Sequence, residues 1–133
     1  MDNYEKQVLE CHQAMELDVA SPYSVPLLRL REKLLTEELD ELKVEIHTLM
    51  EELQTTGKTN PKTKARMYKE LADLQYVLSG MVVALGIPME EVFKRVHQSN
   101  MSKLVNGKVL KREDGKFLKG PNYKPPVLDD LVA

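Results

Sequence analysis

Two pairs of acidic side chains occur with the same spacing in two separate segments of the chain. Glu38 and Glu41 are three residues apart, and so are Glu70 and Asp73. On an α-helix, residues three apart are neighbours on one face, so each pair would place two carboxylates side by side. Like charges held that close repel each other, and a bound divalent cation would remove the repulsion. The spacing therefore indicates a metal site, provided that both segments are helices and pack together.

Four carboxylates favour a hard cation, with Mg²⁺ as the first candidate and Mn²⁺ as the second. A ferritin-like di-iron site needs a histidine three residues after a glutamate on each of two helices. None of His12, His47 and His97 has that spacing, so we expect hydrolytic chemistry. The alternative is that these acids are exposed charges flanking the apolar stripes of a helical bundle, as is usual for such flanks. Their recurrence in both segments, with few lysines nearby to pair with them, weakens that alternative.

Apolar periodicity predicts the helices that carry the acids. From Leu27 to about Leu53, leucine and isoleucine recur mainly at alternating spacings of four and three, which forms an apolar stripe along one helix. A second apolar stripe runs from about residue 62 to Leu85. Gly57 and Pro61 interrupt the pattern between them, so the two helices should pack antiparallel. The acids stand at equivalent offsets beside the two stripes, and the four carboxylates should therefore converge.

Shorter elements complete the predicted fold. Residues 3–17 are compatible with a helix, residues 18–26 read as a connector, and a further helix should open at Pro88 after a cap at Gly86. We therefore predict an all-α fold, an antiparallel bundle of four to five helices over residues 1–133. The stripes look too apolar for two helices to cover alone, so we expect dimerisation to complete the bundle, as a homodimer or a homotetramer.

The carboxyl-terminal part of the chain has a different character. Residues 101–124 contain seven basic and two acidic side chains, a net charge of +5, whereas residues 32–53 contain eight acidic and two basic ones, a net charge of −6. The dipeptides Asn106-Gly107 and Asp114-Gly115 predict tight turns, and the apolar residues around them predict short strands. Residues 103–133 are thus expected to form a basic extension of the same domain, with a β-hairpin.

Composition excludes several classes of protein. Nineteen basic against 21 acidic side chains give a net charge of −2, which creates no overall field for nucleic acid or for an anionic membrane. The single cysteine, Cys11, cannot form an intramolecular disulfide, and no apolar run approaches the roughly 18 residues of a membrane-spanning helix. We expect a cytoplasmic protein with neither a membrane nor a nucleic-acid partner.

The acidic segments resemble the motifs of the all-α nucleoside triphosphate pyrophosphohydrolases, the MazG-like superfamily. The motifs read Glu37-Glu38-Leu39-Asp40-Glu41 and Glu70-Leu71-Ala72-Asp73, and the likeness continues through the segment from Val96 to Lys103 and the residues Asp114-Gly115-Lys116. It covers nearly the whole chain from about residue 27. The sequence is most similar to the branch labelled phosphoribosyl-ATP pyrophosphohydrolase-like, a label that names homology and not the substrate.

The resemblance implies hydrolysis between the α and β phosphates of a ribo- or deoxyribonucleoside triphosphate, which yields a monophosphate and pyrophosphate. It implies that Glu38, Glu41, Glu70 and Asp73 hold Mg²⁺ and are catalytic, and that the role could be the clearance of unwanted nucleotides. Glu37 is then an outer ligand or the base that takes a proton from the attacking water, or else an exposed helix charge.

The same motifs suggest which residues contact phosphate. Asn100 and Lys103 are the first candidates, since an amide and an ammonium both donate to anionic oxygens. Lys116, Lys119 and Tyr123 are the second group. Arg31 either braces the acidic cluster or is exposed. The competing hypothesis, from another functional class, is a non-catalytic helical interaction module whose basic tail docks a partner.

Overall fold

The computed structural model describes residues 1–132 and confirms the all-α class. Its helices are joined by short connections, and the only sheet among these residues has two strands. The elements in chain order are α1 (Asn3–Ala14), α2 (Val25–Thr56), α3 (Pro61–Leu85), α4 (Met89–Met101), β1 (Leu110–Lys111), β2 (Phe117–Leu118) and a 3₁₀ helix (Asp129–Leu131).

Side-chain and glycine caps fix the ends of the two long helices. The Ser24 side chain accepts a hydrogen bond from the backbone at the start of α2, and the Asn60 side chain does the same for α3. Gly57 and Gly86 end these helices with φ angles of 71° and 65°, in the left-handed region that glycine adopts without strain. The predicted turn between the helices and the predicted cap at Gly86 are confirmed.

The first helix is shorter than the 3–17 span that the sequence permits. It ends at Ala14, because Glu16 turns into the left-handed region with a φ of 57°. The amide of Leu17 then donates to the carbonyl of His12, which closes the last turn. The chain leaves the helix at this point and enters the connector to α2.

The two long helices pack antiparallel, as predicted. Near one end of the pair, the Thr63 hydroxyl donates to a Glu52 carboxylate oxygen at 2.6 Å. Further along, the Arg66 guanidinium donates to Glu45 at 3.1 Å. Residue numbers thus fall along α2 as they rise along α3, and the groove between the helices contains a row of polar contacts.

The apolar stripes are only partly covered in one chain. Leu42 and Leu49 of α2 and Leu85 of α3 are buried. Other residues of the same stripes are exposed, namely Leu39, Ile46 and Leu53 on α2 and Leu71 and Leu78 on α3. The expected dimerisation stays a prediction, and these exposed leucines are the surface on which it depends.

The described residues form two compact units, here called the helical unit (Asp2–Ile87) and the C-terminal unit (Met1 with residues 88–132). In the second, the predicted hairpin is present, with Leu110 paired to Leu118. The predicted tight turns also form, with positive φ at Asn106, Gly107 and Gly115. The single domain expected over residues 1–133 stays a prediction, and its last residue, Ala133, lies outside the described residues.

The last part of the C-terminal unit is tied back to α4. The Arg95 guanidinium bonds to both carboxylate oxygens of Asp130 and to the carbonyl of Val127. The amide of Lys124 donates to the Ser102 hydroxyl at 2.9 Å.

Within residues 1–132, no single helix combines the length and the apolarity needed to cross a membrane, although α3 and α4 taken together pass that test by length and composition alone.

Candidate functional site

Glu38, Glu41, Glu70 and Asp73 come together between α2 and α3, and this cluster is called the carboxylate quartet. Each residue offers one carboxylate oxygen, and these four oxygens all lie within 4.8 Å of one another. Glu38, Glu70 and Asp73 are half-buried, and Glu41 is exposed at the rim. Antiparallel packing explains the meeting, since the spacing of three puts each pair on one helix face.

The quartet contains polar atoms that the protein itself does not satisfy. Oε2 of Glu38 and Oε2 of Glu70 are buried without any hydrogen-bond partner. Burial raises the pKa of Glu70, and the neighbouring carboxyl group of Glu41 raises it further. Clustered carboxylate oxygens, two of them from residues with an unsatisfied oxygen, match the ligand set of Mg²⁺ or Mn²⁺. The acidic cluster could therefore bind a metal ion.

Lys69 is a neighbour of the quartet that sequence reasoning missed. Its ammonium lies 2.6 Å from Asp73 Oδ2 and 3.6 Å from Glu70 Oε1. The expectation that few lysines would be near enough to pair with these acids is therefore wrong at this position. The signal was available, because Lys69 precedes Asp73 by four residues, the spacing of a helical ion pair.

Glu37 lies outside the quartet. Its side chain is about half exposed, and one of its oxygens is 3.9 Å from the Lys33 ammonium, one turn earlier on α2. This ion pair spans two exposed side chains and stabilises the helix little. Glu37 thus remains an unburied carboxylate one turn from Glu41.

Three of the five predicted phosphate contacts lie together in the C-terminal unit. The ammonium groups of Lys103 and Lys119 stand 6.0 Å and 4.6 Å from the centre of the Tyr123 ring. Asn100 is exposed at the end of α4. Lys116 is exposed as well, and its amide donates to Asp114 in the hairpin turn.

Arg31 is buried, so the exposed position, one of the two alternatives that the sequence left open for it, is wrong. It lies in the helical unit with only 5% of its surface accessible, and burial lowers its pKa. Among residues 1–132 it forms no ion pair, and its Nε has no hydrogen-bond partner. The burial of Arg31 could not be predicted from the sequence, because it depends on which face of α2 the other helices cover.

A cavity of about 540 Å³ lies elsewhere in the helical unit, between α1 and α3. Three tyrosines, Tyr4, Tyr68 and Tyr76, contribute to its walls, and Ser79 is a buried polar group in it. No member of the carboxylate quartet lines this cavity. The acidic cluster belongs to the groove between α2 and α3 instead.

Comparison with known proteins supplies the family. The family model described as phosphoribosyl-ATP pyrophosphohydrolase matches residues 8–100, a span that includes the whole quartet. This match agrees with the resemblance of the two acidic motifs and covers most of the chain. No curated protein matches the chain. By the extent of the family match, the chain belongs to the phosphoribosyl-ATP pyrophosphohydrolase family.

Proposed function

We propose that the protein is a Mg²⁺-dependent nucleoside triphosphate pyrophosphohydrolase that cleaves the α–β phosphate bond and releases a monophosphate and pyrophosphate. Membership of the family indicates a pyrophosphohydrolase that acts on a nucleotide-like substrate. The observation that carries the proposal is the carboxylate quartet with its two unpartnered oxygens, on Glu38 and Glu70.

In this proposal Glu38, Glu41, Glu70 and Asp73 hold the ion. Bound there, Mg²⁺ would neutralise phosphate oxygens and lower the pKa of the attacking water. The protein's own part is to keep four carboxylates converged at rest, so that little rearrangement is needed when substrate arrives. Packing of α2 against α3 supplies that convergence, because all four side chains project from rigid helices and none from a loop.

Glu37 is the carboxylate that we assign as general base. Glu37 lies outside the quartet and is exposed, so its oxygens are available to a water molecule. It lies on α2, one turn before Glu41. A base in that position would take the proton released when water attacks the α phosphorus. Its ion pair with Lys33 is too exposed to hold it away from that role.

Five side chains of the C-terminal unit are proposed as phosphate contacts. Lys103 and Lys119 each supply a positive charge near the ring of Tyr123, whose hydroxyl adds a donor. Two ammonium groups close to one ring repel each other, and a bound phosphate would relieve that repulsion. The other two proposed contacts, Asn100 and Lys116, are exposed donors in the same unit.

Product analysis in ¹⁸O-labelled water tests the reaction. A panel of ribo- and deoxyribonucleoside triphosphates is incubated with the protein and Mg²⁺, and products are separated by ion exchange and weighed by mass spectrometry. The proposal expects a monophosphate that carries the label, together with unlabelled pyrophosphate. Release of orthophosphate with a diphosphate left over, or no turnover of any nucleotide, would refute it.

Paired variants in the first motif test the residues. Glu38→Gln should lower turnover by about 100-fold or more, because a catalytic ion supplies several kcal/mol to the transition state. Asp40→Asn is the matched control, since Asp40 lies in the same motif but is exposed and outside the quartet. Equal activity of the two variants would remove Glu38 from the mechanism.

A further inference from the structure

Arg31 carries a buried charge for which the helical unit provides no counter-ion. Other cationic side chains in the groove between α2 and α3 are paired: Arg66 with Glu45 at 3.1 Å, and Lys69 with Asp73 at 2.6 Å. The side chains of Arg66 and Lys69 are more than half exposed. Arg31 is 95% buried, and among residues 1–132 no carboxylate lies within ion-pair distance of it. A buried, unpaired cation strongly destabilises a fold. Its presence therefore calls for a functional explanation.

The fold makes room for this guanidinium. A Cβ atom at Gly80 of α3 would lie 2.6 Å from Nη1 of Arg31, closer than two such atoms can approach. Glycine inside a helix is destabilising relative to alanine. With a larger residue at this position, the guanidinium of Arg31 would have to move from where it lies. Two unfavourable features, an unpaired charge and a glycine within a helix, therefore occur at the same place.

The nearest polar groups do not satisfy the charge. Nδ1 of buried His12 lies 2.7 Å from the carbonyl oxygen of Asp18, and because a carbonyl only accepts, Nδ1 is the donor. The other ring nitrogen, Nε2, lies 3.5 Å from the same Gly80 Cβ position. The carboxylate of Asp18 acts on Arg31 only at long range, without an ion pair.

Arg31 and the carboxylate quartet lie on the same helix faces. Arg31 precedes Glu38 by seven residues on α2, and Gly80 follows Asp73 by seven on α3. Seven residues are close to two helical turns, so both pairs lie in one groove, about 10.5 Å apart along the axis. Leu35 and Val77, on the turns between them, are only half-buried, which leaves the groove unsealed.

We propose that Arg31 binds an anionic phosphate oxygen of the substrate at the end of the groove that lies beyond Glu38 and Asp73. The inference rests on the proposed function, because it needs a polyphosphate whose other end lies at the quartet. A guanidinium is suited to this task, since its forked donors match two phosphate oxygens. Binding would supply the missing anion, and the unfavourable burial of Arg31 in the free protein would be relieved in the complex.

Affinity for inorganic tripolyphosphate tests this assignment without a nucleoside. Titration calorimetry with Mg²⁺ present is run on the wild type, Arg31→Met, Arg31→Lys and Arg29→Met. Arg29 is the matched control, because it is an exposed arginine two residues away and its loss changes the net charge equally. Arg31→Met should weaken binding by roughly tenfold or more, Arg31→Lys should lose less, and Arg29→Met should bind like the wild type.

Thermal melting of the metal-free proteins separates binding from a structural role. Arg31→Met should melt at the same temperature as the wild type or higher, since it removes an unpaired buried charge. A purely structural arginine would instead lower the melting temperature and leave the affinity of the folded fraction unchanged, which would overturn the proposal. Unaltered tripolyphosphate affinity in Arg31→Met would overturn it as well.

A measurement on the unmodified protein covers the case in which Arg31→Met does not fold. The buried Nε–H of Arg31 should give an NMR signal, assigned by its loss in Arg31→Lys, that shifts when tripolyphosphate and Mg²⁺ are added. A signal that does not move would refute the assignment. A wild type that hydrolyses nucleotides but shows no such shift would leave the proposed function intact and remove only the role of Arg31.

Discussion

The ammonium of Lys69 lies 2.6 Å from Oδ2 of Asp73, so one of the four carboxylates of the quartet already holds a cation. The hydrogen bond from Lys69 to Asp73 raises the pKa of the lysine, which keeps it charged at neutral pH. The lysine is itself largely exposed and can swing away. A metal ion entering the quartet therefore competes with Lys69 for Asp73.

Replacing Lys69 should change the response of the protein to Mg²⁺. Without the ammonium, Lys69→Met should lower the stability of the metal-free protein only slightly, as expected for an exposed ion pair. Mg²⁺ should then raise the melting temperature by more than it does in the wild type, because nothing competes for Asp73. Lys64→Met, at an exposed lysine of α3, is the control. Equal Mg²⁺ responses in the two variants would contradict the competition.

The sequence was sufficient to predict the quartet because helical geometry leaves little choice. A spacing of three makes Glu38 a neighbour of Glu41, and Glu70 a neighbour of Asp73. The short turn at Gly57 requires the helices to be antiparallel. Lys69 was predictable by the same rule, since it stands four residues before Asp73.

The same spacing rules could not predict which of these residues are buried. Periodicity placed Leu42 and Leu71 in equivalent stripes, yet Leu42 is buried and Leu71 is exposed. The difference depends on which face of each helix a third element covers, and that information is not local in sequence. Arg31 is the clearest case, because its burial occurs where α2 lies beside Gly80 of α3 and His12 of α1.

Glu52 should make stability depend on acidic pH. Its carboxylate accepts hydrogen bonds from the Thr63 hydroxyl and the Asn60 amide, and these bonds lower its pKa below the ordinary value of 4.5. A carboxyl group whose pKa falls on folding stabilises the fold above its ordinary pKa, and that contribution is lost as pH drops through the lower, folded-state value.

The test compares unfolding free energies from pH 7 downwards. Relative to the wild type, Glu52→Gln should be less stable at neutral pH, and the gap should close below about pH 4. The neighbouring Glu51→Gln, at an exposed position, should keep the wild-type profile. A gap between Glu52→Gln and the wild type that stays constant across this range would show that the carboxylate charge is not the cause.

Gly80→Ala should destabilise the protein, although alanine is normally the better helix former by about 1 kcal/mol. The added Cβ would meet Nη1 of Arg31 at 2.6 Å, so the buried guanidinium would have to shift to admit it. In an Arg31→Ala background the same substitution should become stabilising, since the obstructing atom is gone. Chemical denaturation of the four proteins of this double-mutant cycle measures the coupling. Additive effects would show that the close approach has no energetic weight.

The exposed leucines should bring two or more copies of the chain together. Leu71 is 53% exposed and Leu78 is 44% exposed on α3, in a stripe that a second copy would cover. Light scattering at micromolar concentration should therefore give a mass above the 15.2 kDa of one chain. Leu71→Glu combined with Leu78→Glu should reduce it to that of a monomer, because a charge cannot be buried unpaired in an apolar interface. Val44→Glu, at an exposed valine outside the stripe, should not. A monomeric wild type would mean that these leucines remain in contact with water.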